Sequence, residues 1–152
     1  MRHVEDPLSK RSQVSGHQKL VLLVEDDIDA VELYGRALRR AGYEVVFAES
    51  LAEATMAAFV RTPDLVVLDG RLPDGDGLGL LAQWREVGHP MAEVPVIVVT
   101  GSADRQDIAA AFSAGADEFV PKPCCGNELA LHVARALQGN RKSARLRRVV
   151  PT

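Results

Sequence analysis

Five short, largely apolar runs recur along this chain, and each is followed by a stretch with helical spacing. The runs are residues 20–24 (LVLLV), 44–48 (EVVFA), 64–69 (DLVVLD), 94–100 (VPVIVVT) and 117–120 (DEFV). A brief, continuous apolar run bounded by turn residues suits a strand covered on both faces. Asp29 is placed to cap a helix that runs to about Ala41, with Ile28, Val31, Leu38 and Ala41 near one face and Gly42 as its stop. Ser50-Leu51-Ala52-Glu53 fits a capping box for a helix to about Arg61, ended by Thr62-Pro63. Residues 78–87 read as a third helix, with Trp84 in its packing, and Ser102 or Asp104 opens a fourth that ends at Gly115. Asn127 is placed to cap a fifth through Leu137, closed by Gly139. Strand–helix alternation with short connections predicts an α/β fold, a parallel sheet with helices on both faces. Strand order does not follow from the spacing.

With 152 residues, 47% of them hydrophobic and 26% charged, the chain suits one domain with a single core. The expected division is a flexible extension over residues 1–18, a domain over 19–138 and a basic tail over 139–152. No apolar run is long enough to cross a membrane, and residues 1–16 lack the apolar segment of a secretory signal. The two cysteines are neighbours, Cys124 and Cys125, and cannot form a disulfide framework. A cytoplasmic setting is expected. The four histidines, His3, His17, His89 and His132, have no metal-ligand spacing.

Net charge is −3, unevenly spread: +1 over residues 1–18, +5 over 139–152 and −9 between them. An acidic body with a basic tail argues against a nucleic-acid-binding domain and suits a hard cation. In open parallel sheets ligands bind at the carboxyl ends of the strands. The polar residues there are Glu25, Asp26 and Asp27 after the first strand, Asp69 at the end of the third, Thr100 at the end of the fourth and Lys122 after the fifth. Crowded carboxylates call for a cation, and an all-oxygen set suits Mg²⁺, or Mn²⁺ in its stead. A carboxylate beside such a metal can attack phosphorus and form an acyl phosphate, while a lysine and a hydroxyl neutralise and bind the phosphoryl oxygens. The residues alone do not say which acid is the nucleophile.

The pieces LVLLVEDD (20–27), DLVVLDGRLPDGDG (64–77), VPVIVVTGS (94–102) and GADEFVPKP (115–123), taken in order, resemble the receiver domain of two-component response regulators. The resemblance covers residues 19–137. It implies a doubly wound five-stranded parallel sheet ordered 2-1-3-4-5, an order general knowledge already assigns to a chemotaxis receiver. It implies that Asp69 is the phospho-acceptor, that Asp26 and the backbone carbonyl of Arg71 ligate Mg²⁺ with Asp69, and that Glu25 acts through water. Lys122 would pair with the phosphoryl group, Thr100 and Phe119 would form the switch, and the Lys122–Pro123 bond would be cis. Partners implied are a histidine kinase or histidine phosphotransfer protein, and a downstream protein or second copy docking on helix 4, strand 5 and helix 5. Arg71 and Ser102 lie where family members vary and would tune phosphoryl lifetime. Gly70, Gly101 and Cys124 depart from the common pattern, which has larger apolar, alanine and phenylalanine residues there.

The reading is therefore a stand-alone phospho-acceptor rather than an enzyme in the usual sense, limited to self-phosphorylation from small donors and slow self-dephosphorylation. The competing readings are a receiver-like binding module that works without phosphorylation, and a flavodoxin-like enzyme. A flavin site would want a Ser/Thr/Gly-rich phosphate loop after the first strand, where Glu25-Asp26-Asp27 stands instead.

Overall fold

The structure, a computed structural model, describes residues 18–102 and 104–139. Of the expected extension and basic tail, all but Gln18 and Gly139 lie outside the described residues. Five strands form one parallel sheet: β1 (Leu20–Val24), β2 (Glu44–Ala48), β3 (Leu65–Asp69), β4 (Val96–Thr100) and β5 (Glu118–Pro121), ordered β2-β1-β3-β4-β5. The helices are α1 (Ile28–Arg40), α2 (Leu51–Val60), α3 (Gly77–Trp84), α4 (Arg105–Ala114) and α5 (Gly126–Gln138). The doubly wound α/β expectation holds, including the strand order.

Alternation along the buried strands builds two cores. Leu22, Val24, Val66, Leu68, Val96 and Val98 face α2, α3 and α4. Val21, Leu23, Leu65, Val67, Ile97 and Val99 face α1 and α5. Period-2 side-chain direction makes both faces apolar, so the strands are continuous rather than alternating in hydropathy.

Several expected boundaries move. Asp27, not Asp29, caps α1; its Oδ1 accepts the Asp29 N–H at 2.9 Å, and its backbone is extended. Ile28 is 75% exposed, whereas Tyr34 and Leu38 are buried. As the first residue of α1, Ile28 stands at the carboxyl edge, past the strand residues it could cover. Ser50 caps α2 as expected, but the Glu53 carboxylate reaches back to the Glu49 N–H (2.9 Å). Asp76 caps α3, which ends at Trp84 rather than Val87, and the Arg85 side chain that follows makes the buried contacts described below. Asp104 caps α4. Cys125, not Asn127, occupies the N-cap of α5, and it makes no side-chain capping bond. Packing sets this start: a Cβ on Gly126 would stand 2.6 Å from the Ala37 Cβ, so only glycine lets α5 begin against α1. The expected glycine stops hold, with Gly42 at φ +101° and Gly115 at φ +114°. The loop after β3 carries a two-stranded ribbon, Arg71–Leu72 with Gly75–Asp76, that local sequence signals did not show.

Candidate functional site

The site residues follow directly from the last hydrogen bonds of the sheet. Beyond β1, the Glu25 N–H bonds the Ala48 carbonyl at 2.9 Å. Beyond β5, the Lys122 N–H bonds the Thr100 carbonyl at 2.9 Å. Both residues are thus held in ladder register one step past their strands, and Asp69 ends β3 between them. A close approach completes the placement: a Cβ on Gly77 would meet the Asp69 carbonyl oxygen at 2.4 Å, so glycine lets α3 start directly under the strand end.

Glu25, Asp26 and Asp69 bring one carboxylate oxygen each to within 4.8 Å of one another. Glu25 and Asp69 are buried, and Asp26 is exposed. Lys122 Nζ lies 2.7 Å from Glu25 Oε1 and 3.3 Å from Asp69 Oδ2. The Arg71 N–H donates to Asp69 Oδ1 at 3.1 Å, and the Asp27 N–H donates to Glu25 Oε2 at 3.1 Å. Burial pushes the Glu25 carboxyl above its usual range, and neighbouring Asp69 adds to this, against the opposing pull of Lys122 and the Asp27 amide. Burial also pushes the Lys122 ammonium down, but its bond to Glu25 and the Asp69 charge outweigh this, and the net shift is upward.

Three carboxylates against one ammonium leave a clustered excess of negative charge. The donor set is all oxygen, open at Asp26, and fits a small hard dication. Glu25 and Asp69 each already accept from Lys122 and from a backbone amide, whereas Asp26 stands exposed at the open side of the cluster.

Thr100 is buried at the end of β4, and its Oγ1 accepts the Ser102 N–H at 3.3 Å. Phe119 packs half-buried beside it, and both line one cavity with Arg71. The Lys122–Pro123 bond is cis, as expected. Cys124 is buried and Cys125 exposed, both as free thiols; burial and then Glu128 push the Cys124 thiol up to about 11. His89 accepts the Met91 N–H, while His132 contacts Glu118 and Arg135 away from the carboxylates.

Three features escaped sequence reasoning. Asp74 accepts the N–H groups of Leu51 (2.8 Å) and Ala52 (3.1 Å), capping α2 from the loop after β3. Those amides hold its carboxyl below the usual range. Ser102 Oγ donates to Asp107 on α4. The third is Gly77, whose need for glycine is set by a strand end rather than by its own turn. None of these contacts follows a helical or strand period, so no local periodicity marks them.

Residues 21–134 match the family model for the response regulator receiver domain. The chain belongs to the receiver domain family. It is 37% identical over 118 residues to the KDP operon transcriptional regulatory protein KdpE of Escherichia coli, covering 78% of this chain and 51% of that protein. It is 34% identical over 124 residues to the swarming motility regulation protein RssB of Serratia marcescens, covering 82% and 54%. The chain therefore spans about half the length of these curated relatives. Among solved structures, the non-phosphorylated HemR receiver domain of Leptospira biflexa superposes with a TM-score of 0.72 at 32% identity, covering 81% of this chain and 97% of that one. A two-component response regulator from Clostridium difficile gives 0.74 at 26% identity, covering 80% and 97%. Receiver domains are phospho-acceptors in two-component signalling rather than classical enzymes; the family uses Mg²⁺ at an acidic pocket and takes its phosphoryl group from a kinase or other phosphodonor. Among the described residues no helix is long and apolar enough to cross a membrane.

Proposed function

We propose that Asp69 of this receiver domain accepts a phosphoryl group from a phosphohistidine on a sensor kinase or relay protein. The observation that carries this reading is the placing of the Asp69 carboxylate between the Lys122 ammonium and the Arg71 amide, within the acidic cluster. Asp69 Oδ attacks phosphorus, the new O–P bond forms, and the N–P bond breaks with its electron pair returning to the imidazole. Lys122 leans toward Glu25 in the resting site and moves its charge toward the incoming phosphoryl oxygens. The Thr100 hydroxyl donates to one of those oxygens. Asp26, Asp69 and the Arg71 carbonyl would hold Mg²⁺, with Glu25 reaching it through water; the ion supplies charge neutralisation for the transferred group.

Occupancy biases a two-state equilibrium through Thr100 and Phe119 and alters the face formed by α4, β5 and α5, where a partner protein or a second copy docks. The charge distribution favours a protein partner over DNA for the described part of the chain, in a cytoplasmic setting. The test is intact mass after incubation with acetyl phosphate and Mg²⁺. One added phosphoryl mass is expected, absent in Asp69→Ala and absent with EDTA. No gain in folded protein, from acetyl phosphate or from a phosphorylated histidine kinase, overturns the reading in favour of a phosphorylation-independent binding module.

A further inference from the structure

A cavity of about 430 Å³ opens between the loop after β3 and the start of α4. Small-molecule sites commonly fall within about 300–1,000 Å³. Its floor is apolar, formed by Val98, Ala111, Leu78 and Phe119, and Arg71 and Thr100 stand in its polar lining. Gly70 is one of its lining residues and contributes no side chain to it. An ideal Cβ on Gly70 would lie 3.4 Å from the Cβ and Oγ1 of Thr100, an ordinary contact, so a larger residue there would fit the backbone and project into this space. Gly70 and Arg71 follow Asp69 directly, and the Arg71 N–H bonds the Asp69 carboxylate. Asp69 does not itself line the cavity, but its two chain successors do, which sets the cavity beside the acceptor carboxylate.

The lining also fixes what the cavity can hold. Asp76 and Asp107 both line it, so an anionic tail is disfavoured. An uncharged apolar body is favoured, with the negative end of the molecule toward Arg71 and the Asp69 carboxylate that its amide bonds. We propose that this cavity seats the acyl chain of a small-molecule phosphodonor: an acyl phosphate whose carboxylic acid is larger and more apolar than acetic acid. This rests on Asp69 being the acceptor. An Asp69 oxygen forms the new bond to phosphorus, the P–O bond to the acyl group breaks, and its electron pair leaves with the carboxylate. No proton transfer is required, and Arg71 offers a cation to the departing carboxylate. Gly70 is then a donor-specificity residue, since any larger side chain there occupies the acyl site.

The experiment compares acetyl phosphate with hexanoyl phosphate on the full chain with Mg²⁺, following Asp69 phosphorylation by intact mass. The two leaving carboxylates are of similar basicity, so the donors differ chiefly in the apolar chain. Hexanoyl phosphate is expected to reach half-saturation at a concentration about tenfold lower, within what burial of added methylenes supplies. Gly70→Met should bring the half-saturation concentrations of the two donors together, read as their ratio within the same variant so that any change common to both donors cancels, and Gly70→Ala should fall between. Equal half-saturation in the parent chain, or a hexanoyl advantage that survives Gly70→Met in folded protein, overturns the proposal alone. Failure with every donor, acetyl phosphate and a phosphorylated kinase included, overturns the acceptor reading and this inference with it.

Discussion

Lys122, at the carboxyl edge of the sheet, and Arg85, at the end of α3, are both cations turned inward, yet their surroundings differ. Arg85 donates from Nε to the Gly115 carbonyl (3.0 Å), from one terminal nitrogen to the Met91 carbonyl (2.8 Å), and from the other to Asp117 (3.1 Å). Asp117 also accepts the Val96 N–H at 2.9 Å, so this pair ties α3 to the starts of β4 and β5. Its two charges cancel, and both side chains are under a tenth exposed. Lys122 instead faces three clustered carboxylates and is a quarter exposed. The Arg85–Asp117 pair is charge-balanced and held by hydrogen bonds from several elements; the Lys122 cluster carries an excess of negative charge at a position open to solvent. The contrast separates a buried pair that organises the fold from a cluster left with charge to be neutralised, the feature on which the proposed acceptor reading rests.

Four measurements can break or sharpen that contrast. The largest effect is expected from Arg85→Ala, which leaves Asp117 buried without its cation and should cost about 3–5 kcal/mol in denaturant unfolding. A loss below about 1 kcal/mol would put Arg85 in the range of ordinary exposed pairs and remove the distinction. Next, Mg²⁺ at ten times its dissociation constant should stabilise the parent domain by about 1.4 kcal/mol by mass action, and Asp26→Asn should abolish the gain. An equal gain in Asp26→Asn would move the ion elsewhere.

A smaller effect is expected from pH. Glu25 has a raised folded-state pKa, so its burial costs stability at neutral pH, and that cost is relieved as pH falls through the raised value toward the unfolded value of 4.5. Lys122, also raised, contributes stability that is complete below 10.5 and is lost as pH rises through its folded value. Stability profiles of Glu25→Gln and Lys122→Met against the parent should lose these acid and alkaline features respectively; unchanged profiles would contradict the assigned causes. The smallest effect belongs to Arg61→Ala. This removes a surface pair with Glu44 (2.9 Å) and should leave the unfolding midpoint unmoved at moderate salt. The lowered Glu44 pKa means that whatever this pair gives is present above 4.5 and lost as pH falls. A midpoint shift matching that of Arg85→Ala would show that burial is not what separates the pairs.

Much of this was legible in the sequence because the strands are short, continuous and apolar, and because their polar successors sit at strand ends. Glu25, Asp26, Asp69, Thr100 and Lys122 could be singled out from that rule alone, and the resemblance supplied their order in the sheet. What was not legible depends on contacts between distant segments. Asn127 has the chemistry of a cap, but the fit of Gly126 against Ala37 starts α5 two residues sooner. Ile28 fits the apolar period of α1, yet at the first turn it stands 75% exposed among the described residues. Asp74 looks like a loop acid and is a cap for a helix 23 residues earlier.

The bond from Lys122 to Glu25 joins residues 97 apart in sequence. During synthesis Asp69 is therefore made long before it has a site: the chain must extend past β5, and the central strands must pair across α/β crossovers, before Lys122 reaches the carboxylates. Contacts of such separation form late and only cooperatively. On the proposed acceptor reading, phosphoryl uptake on Asp69 would report completed folding of the whole sheet, and a nascent or partly unfolded chain would carry that residue while remaining silent to a donor.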